Sequence, residues 1–190
     1  LVPLLTDASP GVRGRAAEAL GLIGAKGAAA AIGQMVAEYA RSAAVAAMSS
    51  DRGAAVAALQ PSDEVAPIAP EAEAFKLGLF ALVRLKAYDS IAGAVLTGSQ
   101  PVTQLVTTWW PVAYALQRVE DPRAAPALLQ LLAANGRFTR AFAARGLGTL
   151  KDATAVKPLV ALLEPAAKAG LELTVAAIRA LAQLEAADAV

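Results

Sequence analysis

The sequence predicts an all-α protein: a right-handed α-solenoid, or superhelix, of about five stacked antiparallel helix pairs. Three observations carry that expectation. Apolar residues recur at i, i+3, i+4 and i+7, and no segment alternates with period two for long enough to make a strand. The chain repeats itself, with segments ending at Ile23, Leu85, Val119, Leu150 and Leu184 that align without gaps. Ala supplies 50 of 190 residues while aromatics make up only 5%. Ala is the strongest helix former, so the apolar character comes from small side chains that let helices pack closely.

The elements follow in order. Leu1-Val2-Pro3-Leu4-Leu5 fits the end of a first helix, and Ser9-Pro10 caps a second one running to Ile23. Residues 28–49 suit one long Ala-rich helix carrying Ile32, Met35, Val36 and Tyr39, stopped by Ser49-Ser50-Asp51. Residues 60–70, with Pro61, Pro67 and Pro70 beside Asp63 and Glu64, read as an internal loop. The anchors Ile23 and Leu85 lie 62 residues apart, twice the shortest spacing of 31, so that loop falls in a degenerate repeat. Ser90 to Gln117 carries no charge and is long enough to span a bilayer, but Pro101, Pro111, Gln100, Gln104, Thr103, Thr107 and Thr108 argue against a membrane span. Trp109-Trp110-Pro111 opens the helix that ends at Val119. Asp121-Pro122 and Asp152 then cap two further pairs, whose first helices, Ala124 to Leu132 and Ala155 to Leu163, stand 31 residues apart.

Superposing the five anchored segments shows why they pack. Three residues before each anchor stands Leu20, Leu82, Leu116, Leu147 or Leu181. Four before stands Ala19, Ala81, Ala115, Gly146 or Ala180. A Leu beside a very small residue is what close helix contact requires. Units of this kind bury their apolar faces only against neighbours.

Composition excludes much chemistry. With neither Cys nor His, the chain has no Cys/His metal site, thiol nucleophile, imidazole base or disulfide. No cofactor is expected. Seventeen basic against 16 acidic residues create no field that would gather nucleic acid or anionic lipid. Absence of Cys fits a periplasmic and a cytosolic protein equally. The pattern starts midway through a unit at Leu1, which reads as a segment of a longer protein that continues into further domains. Gly21-x-x-Gly24 and Gly146-x-Gly148 lie late in repeat helices, where packing or helix ends account for them, and capping accounts for Asp121 better than acid/base work.

The run Asp7-x-Ser9-Pro10-x-Val12-Arg13-x-x-Ala16-Ala17-x-Ala19-Leu20-Gly21-x-Ile23-Gly24 resembles the HEAT repeat, in the short bacterial form also called the phycobilisome-lyase HEAT-like repeat. The likeness is strong over residues 1–27 and 120–187, fair over 70–120 and poor over 28–69. It implies the fold more than a function, since such repeats occur in scaffolds, adaptors, lyases and fused regulatory domains. In such repeats an Arg in the column of Arg13 and Arg140 pairs with an Asp in the turn between helices, a role that would fall to Asp7. Residues 109–128 are also similar to helical regions that precede cyclophilin-type prolyl isomerase domains in some bacterial proteins.

The candidate site comes from two columns off the apolar stripe. Five before the anchor come Glu18, Phe80, Tyr114, Arg145 and Arg179; one before come Leu22, Arg84, Arg118, Thr149 and Gln183. Residues four apart share a helix face. Phe80, Arg84, Tyr114, Arg118, Arg145 and Arg179 of these columns, with Trp110 from the Trp109-Trp110 step, are the candidate partner-binding residues, Arg and aromatics being enriched in binding hot spots. Trp109 is expected in the core and Trp110 outside. The expected function is non-catalytic protein or peptide binding on the concave face, without nucleic acid or membrane. The rival readings are the client-binding helices of a larger prolyl isomerase, and a HEAT-like lyase or glycosylase acting in the groove.

Overall fold

In the computed structural model of the chain, the described residues are 1–48, 69–98, 103–164 and 170–185. Ten helices appear among them: α1 Pro10–Leu22, α2 Ala29–Ala40, α3 Ala43–Met48, α4 Pro70–Arg84, α5 Tyr88–Val95, α6 Trp110–Val119, α7 Ala125–Ala133, α8 Arg137–Leu150, α9 Val156–Ala161 and α10 Leu171–Gln183. Short 3-10 turns at Val2–Thr6, Lys26–Ala28, Pro122–Ala124 and Ala153–Ala155 lead into α1, α2, α7 and α9. The chain divides into two compact units, Leu1–Pro111 and Val112–Val190.

In the first unit α1 and α2 both pack on α4, and α5 packs on α2 and α4. The contact between α1 and α4 is made by residues without bulk. A Cβ placed on Gly14 would stand 2.9 Å from the Ala74 Cα, and one on Gly21 would stand 2.6 Å from the Ala81 Cα. Phe75, fully buried on α4, stacks on Trp109 with ring centroids 5.9 Å apart and planes 20° from parallel. In the second unit α8 packs on α7 and α10, with Leu128, Leu131, Leu147 and Leu159 fully buried. Gly148 meets Ala180 there much as Gly21 meets Ala81, with a hypothetical Cβ 2.7 Å from the Ala180 Cα. Gly21, Gly146 and Gly148 are thus packing residues, whereas Gly24 has open space around it and stands at a helix end. All five members of the Leu column are buried, and so is every member of the small column except half-buried Ala19.

One device closes every anchored helix. The residue after the anchor is left-handed each time: Gly24 at φ 72°, Lys86 at 54°, Glu120 at 57°, Lys151 at 54° and Glu185 at 55°. One residue further on, the amides of Ala25, Ala87 and Asp152 donate to the carbonyls of Leu20, Leu82 and Leu147 at 3.0, 3.0 and 3.2 Å. These are the six-to-one bonds of a Schellman cap, which satisfy carbonyls the helix leaves open. At the helix starts Asp121 and Asp152 act as expected, accepting the amides of Arg123 and Thr154 at 2.9 and 3.0 Å. Ser9 precedes α1 without a side-chain cap.

Several expectations change. The helix expected over 28–49 is two helices: the Ser42 hydroxyl accepts the Val45 amide at 3.3 Å and starts α3, while Arg41 folds back onto the Ala37 carbonyl at 2.9 Å and ends α2. The expected stop at Ser49-Ser50-Asp51 lies outside the described residues, as does the loop expected over 60–70 except for its last two residues. Pro70 belongs to α4, where a proline at the first position loses no hydrogen bond. The degenerate repeat expected between Ile23 and Leu85 falls largely on residues outside those described, while α1 and α2 both pack on α4. A short antiparallel pairing, Leu96 with Leu105 and Thr97 with Gln104, forms where no strand was expected. Among the described residues no helix is long and apolar enough to cross a membrane.

Candidate functional site

Helix geometry turns the two off-stripe columns outward. Arg84, Arg118, Arg145 and Arg179 are all exposed, and Phe80 and Tyr114 are half-buried. Their surroundings differ between the units.

In the first unit Phe80 meets Trp110 with ring centroids 6.3 Å apart and planes tilted by 49°, and Trp110 meets Trp109 edge-on at 6.4 Å. Trp109 is buried at 4% exposure, as expected. Trp110 is half-buried, with the Phe80 ring against one side of it. Arg84 stands one turn beyond Phe80 on α4, at the edge of this aromatic pair.

In the second unit the Tyr114 ring meets Phe142 of α8 edge-on at 5.5 Å. The Arg145 guanidinium lies 5.4 Å from the centre of the same Phe142 ring. Arg118 follows Tyr114 by one turn on α6, and Arg179 occupies the matching column of α10. The result is an aromatic platform edged by cations, able to accept carboxylates or carbonyls beside an apolar surface. Phe142 belongs to the cluster and was missed by the column reading because it lies eight before its anchor. The available signal was its position three residues before Arg145, which puts both on one helix face.

The expected Arg–Asp ladder does not form. Arg13 reaches across to α2, where Nη1 donates to Glu38 Oε1 at 3.1 Å and Nη2 donates to Oε2 of the same carboxylate. Its guanidinium also lies 4.7 Å from the centre of the Tyr39 ring. These hydrogen bonds hold the Glu38 carboxyl below its ordinary range and raise Arg13 further, while burial raises Tyr39. Asp7 accepts the Ser9 amide at 2.8 Å instead. Arg140, the column partner of Arg13, donates from Nε to the Leu132 carbonyl at 3.1 Å. The two arginines share a column but fasten different things, because only α2 offers a carboxylate within reach.

Among the described residues no group of three or more acidic side chains could hold a metal ion. Asp121, its carboxyl lowered by hydrogen bonds from Arg123, is committed to its turn.

Helix pairs repeated in fixed columns, closed by the same cap, define an all-α repeat protein. A family model described as the PBS lyase HEAT-like repeat matches residues 112–134 and 139–165, which span α6 to α7 and α8 to α9. Residues 112–165 therefore carry two HEAT-like repeats, within a chain whose described residues form a helical repeat fold. No curated protein matches it at a significant level of similarity.

Proposed function

We propose that the chain is a non-catalytic module that binds a protein or peptide segment through the exposed columns of its second helices. The observation that carries this reading is the cluster of Tyr114, Phe142 and Arg145, with Arg118 exposed one turn away. Aromatic faces held at fixed angles lose little freedom on binding, and exposed guanidinium groups supply directional donors. Phe80, Trp110 and Arg84 make a comparable patch on the first unit, and Arg179 extends the set on α10. The partner chemistry is an acidic segment with apolar anchors. The reading of residues 1–190 as a single array belongs to the same proposal.

The test is capture of partners by the wild-type chain and by Tyr114→Ala/Arg118→Glu, with thermal unfolding of both. The proposal expects loss of the captured partner with little change in melting temperature. Equal loss of binding and stability would make these side chains structural, and unchanged capture would move the site elsewhere. Turnover of a prolyl peptide or a bilin adduct by the chain alone would overturn the non-catalytic reading.

A further inference from the structure

Within the second unit, α6, α8 and α10 are rich in one sign of charge. Across them five arginines, Arg118, Arg137, Arg140, Arg145 and Arg179, stand against one carboxylate, Glu172, which lies 3.8 Å from Arg137. Glu120, Asp121, Asp152 and Glu185 fall in the turns beyond the helix ends. Arg118, Arg145 and Arg179 are all exposed, so the face would gather a partner of negative charge.

The three helices run in one direction. Tyr114 meets Phe142, and a Cβ placed on Gly146 would stand 3.2 Å from the Gln117 Cβ, so α6 and α8 rise in step. Arg137 with Glu172, Gly148 with Ala180 and Lys151 with Glu185 keep α8 and α10 in step in the same way. These pairings put Arg118, Arg145 and Arg179 within about two residues of one level, about 3 Å along the helix axes. The arginines therefore form a row across the helices. Neighbouring helix axes stand about 8–10 Å apart, and that is the step of the row.

A ligand that answers the row must repeat its charge at that step, on one side. In a β-strand, residues on one side are two or four apart, which advances the chain about 7 or 13 Å. A polyproline II segment turns once in three residues and advances about 9 Å, so every third side chain returns to the same side at the right distance. Tyr114 and Phe142 lie one turn from Arg118 and Arg145 on their helices, beside the first step of the row.

We infer that the partner is an acidic segment bound in polyproline II form across α6, α8 and α10. A carboxylate at every third residue meets Arg118, Arg145 and Arg179 in turn, and an apolar residue between the first two sits on the Tyr114 and Phe142 rings. The inference rests on the reading of these columns as the binding surface, and adds the conformation and spacing of what binds there.

The test is titration of the full chain with labelled synthetic peptides, followed by fluorescence anisotropy at low salt. Three peptides of one length and composition carry three Glu spaced two, three or four residues apart, with Pro and Leu making up the rest. The peptide with spacing three is expected to bind about fivefold tighter than the others, because each misplaced carboxylate forfeits an exposed ion pair. Arg145→Gln and Arg179→Gln should each weaken that peptide about threefold and narrow its advantage. Circular dichroism checks their fold, and the wild-type series decides alone if either unfolds. Equal affinities or a preference for another spacing, with all three peptides weakened by the substitutions, would overturn the inference and leave the proposed surface standing. Binding that ignores the substitutions, or no binding of any peptide, would overturn both. Tighter binding of a single-stranded oligonucleotide of the same length would assign the row to phosphates and overturn the inference as well.

Discussion

Gly21 and Ala81 pack so closely that a single methyl group between them has no room: its carbon would stand 2.6 Å from the Ala81 Cα and 2.8 Å from its Cβ. Backbone on the far side cannot rotate away, so Gly21→Ala must push α1 from α4. It should destabilise the chain by about 1–3 kcal/mol, the usual range for overpacking. Gly93, also helical, has nothing within 4 Å of a hypothetical Cβ, so Gly93→Ala should stabilise by about 0.5–1 kcal/mol. Denaturant unfolding of the two variants should therefore move in opposite directions, although the change is chemically identical.

The left-handed caps offer a second contrast. A non-glycine residue pays about 1–2 kcal/mol for that conformation, and glycine is spared most of it. Lys151→Gly should raise stability by about 0.5–1 kcal/mol, whereas Gly24→Ala should lower it by a similar amount. Both sites are exposed, so neither change disturbs packing. Equal and negligible shifts at the two sites would show that the caps are not strained.

Leu147, fully buried on α8, combines two duties: its side chain fills the core and its carbonyl accepts the Asp152 amide. Only the first is removed by Leu147→Ala, which should cost about 2–5 kcal/mol as a large-to-small core truncation. Urea unfolding checks this, and a cost below about 1 kcal/mol would mean the site collapses around the missing methyls.

The bridge from Arg13 to Glu38 sets a pH dependence. Because Arg13 lowers the Glu38 carboxyl in the folded chain, the pair contributes stability above the ordinary glutamate range near pH 4.3 and loses it as pH falls through the lowered folded value. Wild type should exceed Glu38→Gln in melting temperature at neutral pH, and the gap should close on acidification to about pH 3. A gap that is constant from pH 7 to about pH 3 would show that the carboxylate charge is not what Arg13 holds.

Much of the fold was legible because repetition exposes packing. The Leu column and the small column follow from helical periodicity alone, and four of the five small positions proved buried. What escaped depends on partners distant in sequence. Nothing local marks Glu38 as the acceptor for Arg13, 25 residues earlier, or α2 as a neighbour of α4 across the intervening residues. The left-handed turns escaped for another reason: Gly24 announces one, but Lys86, Glu120, Lys151 and Glu185 carry no glycine signal, and their conformation is imposed by the cap. At the candidate site the exposed arginines were readable as off-stripe positions, whereas the contact of Trp110 with Phe80 requires two helices to be placed at once.

The sequence separation of α1 and α4 also bears on the order in which the chain assembles. Gly21 must find Ala81 across 60 residues, whereas Gly148 finds Ala180 across 32. Nearly doubling the loop costs only about 0.6 kcal/mol in closure entropy. Rates respond to the same separation, however, because contacts between distant residues are established late. The contact of Gly148 with Ala180 is therefore expected to form before that of Gly21 with Ala81, which leaves the faces of α1 and α4 open to water for longer.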